Sequence, residues 1–270
     1  LFRSEIAGTA LRLAHEMEFD FLFDNTRQLL SIGYSVETQT QDPNVYDLLA
    51  SEARLASFFA IAKGDLPTRH WFRLGRTMMP FGQSSALLSW SGSMFEYLMP
   101  SLIMREPTGS VLAQSNHLAV RRQIHYGNDL GVPWGISESQ YNARDHDLNY
   151  QYTGFGVPDL GLKRGLSENT VIAPYATGLA AMIDPDAALR NYRRLTATGA
   201  RGVYGWYEAL DYTRARLPEG VPVVIVRSFM AHHQAMTIVA IADVVHDGAM
   251  RERFHAEPMV KATELLLQER

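Results

Sequence analysis

The 270-residue sequence contains no cysteine. A disulfide framework, a thiolate metal site and a thiol nucleophile are therefore excluded. The absence is consistent with folding in a reducing compartment.

The sequence also lacks an excess of charge of one sign. Its 25 lysines and arginines are scattered among 29 aspartates and glutamates, so no basic surface for a nucleic-acid backbone is expected. No apolar run reaches the roughly 18 residues of a membrane-spanning helix, and the longest, residues 221–230, is broken by Pro222 and Arg227. We therefore expect no nucleic-acid partner and no direct membrane insertion by this segment.

Motifs of several other protein classes are missing as well. The adjacent His232 and His233 lack the spacing and the intervening glutamate of a histidine zinc site. The glycines form no phosphate-binding loop between a strand and a helix, and no Gly-x-Ser-x-Gly elbow is present. We therefore expect no metal, no cofactor and no serine-hydrolase chemistry of the common type.

Helical periodicity is the main pattern that is present. Gly64 marks a helix end, and Asp184-Pro185 marks a helix start. Strands are expected only at 30–36 and 221–226. The pattern predicts eight helices, over residues 5–18, 46–63, 93–103, 111–126, 175–183, 185–195, 230–245 and 260–268. We therefore predict an all-α fold and one domain over residues 1–270. Because both ends read as helix, we expect a piece of a longer polypeptide.

A long segment between residues 127 and 170 is rich in glycine, proline, asparagine, aspartate and aromatic residues. Segments of this length without regular structure are usually functional or disordered. The aromatic content argues against disorder. We therefore predict a functional loop.

Glu52 lies in the predicted helix 46–63, on one stripe with Leu48, Leu55 and Phe59. A carboxylate that faces inward is costly unless it is paired, hydrogen-bonded or protonated, and a raised pKa suits a general acid. The pattern leaves two interpretations open: a general acid, or a buried ion pair with an arginine of another helix.

Two further glutamates are candidates for chemistry. Glu138 lies in the aromatic loop near Trp134 and Tyr141, a setting that suits a sugar site, although the local sequence alone favours a solvated loop acid or a residue at a helix start. Glu96 follows Ser93 with the spacing of a capping box, which favours a structural role, and it remains a third catalytic candidate.

Seven motifs, taken in order, resemble those of the glucoamylase-like domain of bacterial cyclic β-1,2-glucan synthases, and together they span nearly the whole chain. They are Tyr46-Asp-Leu-Leu-Ala-Ser-Glu-Ala-Arg54, Leu88-Ser-Trp-Ser-Gly-Ser-Met-Phe-Glu-Tyr-Leu-Met-Pro100, Gly131-Val-Pro-Trp-Gly-Ile-Ser-Glu-Ser139, Tyr141-Asn-Ala-Arg144, Gly161-Leu-Lys-Arg-Gly165, Ala173-Pro-Tyr175 and Met230-Ala-His-His-Gln234.

The resemblance implies an (α/α)6 toroid-like barrel, which we expect to be incomplete at the N-terminus in this chain because the family fold has more helices than the eight predicted. It implies a domain that closes linear β-1,2-glucan into rings by transglycosylation. The family's domain is a soluble cytoplasmic part of an enzyme anchored in the inner membrane. The expected partners are therefore β-1,2-glucan and other domains of the same polypeptide.

The resemblance also places the paired catalytic acids on Glu52 and Glu138. We expect a retaining mechanism with Glu138 as nucleophile and Glu52 as acid/base. An inverting hydrolase of the same glucan and an inert glucan-holding module remain as alternatives. Candidates for contacts with the sugar, each with a structural alternative, are Trp134, Tyr141, Tyr152, Tyr175, Trp206, Tyr207, Arg54, Arg144 and Asp145.

Overall fold

The computed structural model of the chain describes residues 2–270 and is mainly helical. Short 3₁₀ turns occupy Asp20–Leu22, Thr68–Arg73, Pro100–Leu102, Leu166–Glu168, Arg214–Arg216 and Glu264–Gln268. The α-helices of this part of the chain are α1 (Phe2–Glu16), α2 (Arg54–Lys63), α3 (Met94–Leu98), α4 (Val111–Asp129), α5 (Pro174–Ala180), α6 (Pro185–Ala197), α7 (Ala231–Val245), α8 (Ala249–Ala256) and α9 (Pro258–Thr263).

Small antiparallel sheets connect the helices. Their strands are β1 (Phe23–Asp24), β2 (Leu29–Ser31), β3 (Tyr34–Ser35), β4 (Thr40–Gln41), β5 (Val45–Tyr46), β6 (Met78–Phe81), β7 (Ser84–Leu87), β8 (Ser139–Arg144), β9 (Tyr150–Thr153), β10 (Val171–Ile172), β11 (Arg201–Gly202), β12 (Gly205–Trp206), β13 (Ala209–Asp211) and β14 (Val224–Val226). Two sheets have three strands, in the orders β1-β2-β5 and β10-β13-β14, and the others are two-stranded. The mainly helical prediction is confirmed. The all-α class omits these sheets, because most of the strands are too short to show a period of two.

Several helix boundaries agree with the sequence pattern. Helices α4, α6 and α7 begin and end within a few residues of the predicted limits. Gly64 has φ 89° and ends α2, as a glycine in the left-handed region should. The Asp184 carboxylate accepts the Ala187 N–H at 2.9 Å at the start of α6. No helix among residues 2–270 has the length and hydropathy to cross a bilayer.

The predicted helix 46–63 is wrong in its first half, because α2 begins only at Arg54. Tyr46 instead pairs with Leu30 of β2, and the Leu49 N–H donates to the Gly75 carbonyl at 3.0 Å. These backbone bonds take the place of helical ones. The apolar stripe assigned to Glu52 therefore does not exist, and Glu52 lies in the turn that precedes α2. Helix α8 was not predicted.

Helix α5 lies at the centre of the fold, where all seven of its residues are buried and it packs against α3, α6 and α7. Gly178 permits the close approach of α7, since an added Cβ would lie 3.2 Å from the Thr237 Cα atom. The first turn of α5 carries Tyr175, whose position is thereby fixed by the core.

Arg54 is 1% exposed and connects α2 to α3. Its guanidinium donates to the carbonyls of Ser51 at 3.1 Å and Glu96 at 2.9 Å, and to Glu106 Oε1 at 3.2 Å. Burial lowers the Arg54 pKa, and the charge of Glu106 opposes that shift. This interior position does not support the expected contact of Arg54 with a sugar; its contacts hold the turn that carries Glu52.

The capping box of Glu96 is confirmed. The Ser93 hydroxyl accepts the Glu96 N–H at 3.2 Å, and Glu96 Oε2 accepts the Ser93 N–H at 2.9 Å. The same buried carboxylate also accepts the Ser89 hydroxyl at 3.0 Å and the Ser91 N–H at 2.9 Å. Glu96 therefore holds together the loop that leads into α3.

We predict that Glu96→Gln destabilises the protein by about 2–4 kcal/mol, because the amide NH₂ would face serine donors and lose charge-assisted bonds. Urea denaturation measures the change. Glu219→Gln, at an exposed position before β14, is the matched control and should leave the midpoint within error. Equal midpoints for the two variants would show that the serine cluster contributes little.

Candidate active site

The residues that precede Glu138 are fastened to the core. The Ile136 N–H donates to Gln123 Oε1 at 2.8 Å, and the Gln123 amide donates back to the Ile136 carbonyl at 2.7 Å. The hydroxyl of Ser137 accepts the Phe95 N–H of α3 at 3.0 Å. This end of the long predicted loop is thus rigid, and it continues into the β8–β9 hairpin.

Glu138 is half-buried, and two tyrosines contact it. The Tyr152 hydroxyl donates to Glu138 Oε1 at 2.8 Å, and the Tyr175 hydroxyl donates to the Glu138 carbonyl at 3.0 Å. Burial raises the pKa of Glu138, the bond from Tyr152 lowers it, and the charge of Glu96 raises it. The side chain is therefore held in place by a donor that stabilises its ionised form.

Glu52 is also half-buried, with one polar side-chain contact from the Ser51 hydroxyl at 3.2 Å. Burial is the main cause that raises its pKa, and the charges of Glu96 and Glu138 raise it further. Beside it runs a mostly apolar groove of about 670 Å³, whose walls include Leu55 and Phe59. This environment favours a protonated carboxyl group.

Glu52 and Glu138 both lie near Tyr46. Burial raises the pKa of Tyr46, and the charges of both glutamates raise it further. Glu96 acts on both glutamates as well. The structure therefore brings the three glutamates predicted from the sequence into one region. Glu52 and Glu138 are half-buried, whereas the carboxylate of Glu96 accepts hydrogen bonds from several serines.

Behind the two tyrosines lies a buried pair that sequence reasoning missed. His233 Nδ1 lies 2.9 Å from Glu208 Oε1, and the imidazole stacks on Tyr175 with ring centroids 3.8 Å apart. Tyr152 stacks on the outer side at 6.1 Å. The sequence signal was weak, because the two residues are 25 positions apart and neither belongs to a spacing motif.

Trp90 is a second residue that was not singled out. It is 48% exposed, and its indole N–H donates to Asp47 Oδ1 at 2.9 Å. The neighbouring Ser91 donates to Glu96, and Gly154, two residues beyond Tyr152, packs against Ser91. A fixed, exposed indole thus lies next to the serine residues that bind Glu96.

Of the predicted sugar contacts, only Tyr152 and Tyr175 reach Glu138, and Tyr175 is buried. Trp134 is 4% exposed and packs against Gly127, where an added Cβ would lie 2.7 Å from the Trp134 Cβ atom. Tyr141 contacts Phe155 and lies under the Arg216 guanidinium, beside a separate cavity of about 240 Å³. These positions do not support a stacking role for Trp134.

The remaining predicted contacts lie elsewhere. Arg144 binds the Tyr150 hydroxyl at 2.9 Å, and Asp145 accepts the Asn149 N–H at 2.8 Å, so both shape the tip of the β8–β9 hairpin. Trp206 stacks on Tyr192, and Tyr207 packs against Phe229. Within residues 2–270, none of these four side chains forms a direct hydrogen bond with Glu138.

Within residues 2–270, no group of three or more histidine, aspartate or glutamate side chains is arranged to hold a metal ion.

Comparison with known proteins identifies a matching family and a curated relative. The family model described as "Glycoamylase: Putative glucoamylase" matches residues 44–258. The chain is 58% identical over 258 residues to the cyclic β-(1,2)-glucan synthase NdvB of Rhizobium meliloti strain 1021, covering 96% of this chain and 9% of that protein. The resemblance drawn from the sequence motifs is therefore confirmed.

Solved structures share the fold. An endo-β-1,2-glucanase from Chitinophaga pinensis, in complex with sophorotriose and glucose, aligns with a TM-score of 0.71 at 15% identity, covering 98% of this chain and 65% of its own. A β-1,2-glucanase from Parabacteroides distasonis aligns at 0.67 and 16% identity, covering 98% of this chain and 41% of its own. The chain thus spans a small part of the synthase and about two thirds or less of each glucanase. From the family match, the chain belongs to the putative glucoamylase family.

Proposed function

We propose that this chain is a carbohydrate-active domain that cyclises linear β-1,2-glucan by retaining transglycosylation. The observation that carries the proposal is the pairing of two half-buried carboxyls in different environments: Glu138 receives the Tyr152 hydroxyl, whereas Glu52 adjoins an apolar groove. The 58% identity to a cyclic glucan synthase supports the choice of substrate and of ring closure.

The two environments match two catalytic roles. A nucleophile must be ionised; burial raises the pKa of Glu138, and the bond from Tyr152 opposes that shift by stabilising the carboxylate. A general acid must be protonated, and burial raises the pKa of Glu52. We therefore assign Glu138 as nucleophile and Glu52 as acid/base.

The reaction then follows in two steps. The Glu138 carboxylate attacks C1 of a glucosyl unit while Glu52 gives its proton to the departing 2-oxygen, leaving a glycosyl ester. Glu52, now ionised, takes the proton from the 2-hydroxyl at the other end of the same chain, and that oxygen displaces Glu138 from C1. One glycosidic bond is broken, one is made, and two inversions restore the β configuration.

We further propose the setting of this domain. Its helices would form part of an (α/α)6 toroid, and residues 1–270 would act as one domain of a larger enzyme anchored in the inner membrane. The domain would lie on the cytoplasmic side, where other domains of the polypeptide supply linear glucan. The chain matches 9% of the length of the synthase, which supports the proposal that it is one domain of a larger enzyme.

Product analysis tests the proposal. Linear β-1,2-glucan is incubated with the purified domain and the products are weighed by mass spectrometry. Cyclic products, lighter than linear ones of equal length by one water, are expected. Shorter linear products alone would indicate the inverting hydrolase, and binding without any product, unaffected by loss of both glutamates, would indicate a glucan-holding module.

We predict that Glu52→Gln and Glu138→Gln each lower kcat/KM by several orders of magnitude, on the order of 10³-fold or more, because each removes an ionisable group that the transition state requires. Thermal unfolding should change little, since neither carboxyl carries a buried ion pair. Glu219→Gln is the control. Near-native turnover in Glu138→Gln would show that the nucleophile has been misplaced.

We also predict that Trp90 provides a stacking surface for the glucan outside the reacting unit. Trp90→Ala should raise KM about tenfold and leave kcat nearly unchanged, because a pyranose face loses its aromatic partner. Phe72→Ala, which removes another exposed aromatic ring from a 3₁₀ turn, is the control for general effects of truncation. Equal KM values for the two variants would remove Trp90 from the site.

A further inference from the structure

Glu208 connects the helix that bears His233 to the strand that follows Glu138. Its buried carboxylate accepts the Gln140 N–H of β8 at 3.2 Å, in addition to binding His233 Nδ1 of α7 at 2.9 Å. The Glu208 N–H in turn donates to the Ser228 carbonyl at 3.0 Å. A single carboxylate thus sets the spacing between α7 and β8.

The orientation of the His233 ring follows from this contact. Because a carboxylate only accepts, Nδ1 carries the proton that is donated to Glu208. Nε2 is buried and has no hydrogen-bond partner among residues 2–270. The ring is therefore held by Glu208 on one edge and by its stack on Tyr175, and the Tyr152 ring lies beside it with centroids 6.1 Å apart.

The pair also affects the charge at Glu138. The titratable groups around this carboxyl are Tyr46, Glu52, Glu96, Tyr152, Tyr175 and His233. Of the two charged groups that act most on Glu138, Glu96 raises its pKa and His233 lowers it. His233 therefore belongs both to the buried pair and to the groups that surround Glu138.

We propose that Glu208 and His233 are positioning residues for Glu138. The pair fixes the ring of Tyr152 so that its hydroxyl points at the carboxyl group. Neither residue touches the substrate; both act through Tyr152 and Glu138. The inference rests on the proposed role of Glu138 as nucleophile.

The chain contains a matched control. His255 is also buried, and its Nδ1 lies 2.6 Å from Glu264 Oε1. This second pair joins α8 to the 3₁₀ turn Glu264–Gln268 instead of to β8. Glu264→Gln and His255→Gln therefore disrupt a histidine–glutamate pair, whose histidine is buried and whose glutamate is partly exposed, without disturbing the contacts behind Tyr152.

The first measurement is kinetic, with linear β-1,2-glucan as substrate. Glu208→Gln, which keeps the side-chain shape, and His233→Gln should lower kcat on the order of ten- to a hundredfold with KM changed by less than about threefold, because a displaced nucleophile slows chemistry more than binding. The acid limb of the pH profile of kcat/KM should move to higher pH, since Glu138 loses the aligned Tyr152 hydroxyl, whose hydrogen bond favours the ionised carboxylate. Glu264→Gln and His255→Gln should show neither effect.

The second measurement needs no turnover. Protein labelled with [δ-¹³C]glutamate is titrated by NMR, and the Glu138 signal is assigned by its loss in Glu138→Gln. Its midpoint should rise in Glu208→Gln and in His233→Gln and stay unchanged in Glu264→Gln. An unchanged midpoint together with wild-type kcat in Glu208→Gln would overturn the inference. If the proposed function itself were wrong, the wild-type domain would form no products. The NMR titration of Glu138 could still be measured, so the two failures can be distinguished.

Discussion

Four glutamate carboxyl groups share one region of this protein, and the cost of removing like charges from water governs how that region is built. Each of the four carboxyl groups is stabilised by different neighbours. Glu96 is surrounded by serine donors, and Glu208 is paired with a histidine. Glu138 has a tyrosine donor and Glu52 has little beyond Ser51. The two carboxyls left with the fewest partners are the two to which the proposed mechanism assigns a change of protonation or bonding.

The rest of the fold supports this arrangement. Arg54 ties the turn of Glu52 to α3 from within the core, and the Gln123 amide fixes the chain before Glu138. Helices α5 and α7 approach closely at Gly178 and so hold Tyr175 against His233. Reactive groups thus lie on turns and hairpins while rigid elements set their positions. The fold itself is shared with glucanases at 15–16% identity.

Much of this could be predicted from the sequence, although not always for the right reason. The helix end at Gly64 and the helix start at Asp184 could be predicted, because capping depends on residues that are close together in the sequence. The stripe argument for Glu52 was wrong because long-range pairing with β2 and Gly75 outcompetes the helix. The proposed role of Glu52 therefore depends on the motif resemblance and on the structure. The Glu208–His233 pair could not be predicted, because its partners meet through tertiary packing that leaves no spacing signal.

The most direct test of the central claim is to locate the covalent intermediate. Glu52→Gln is treated with β-sophorosyl fluoride, whose fluoride departs without help from an acid, and the quenched protein is digested and analysed by mass spectrometry. The account predicts a sophorosyl group on the peptide that contains Glu138, because attack proceeds while the missing base slows release. A sugar attached to Glu52-bearing peptides of the wild type, or an α-configured first product with no adduct, would contradict it.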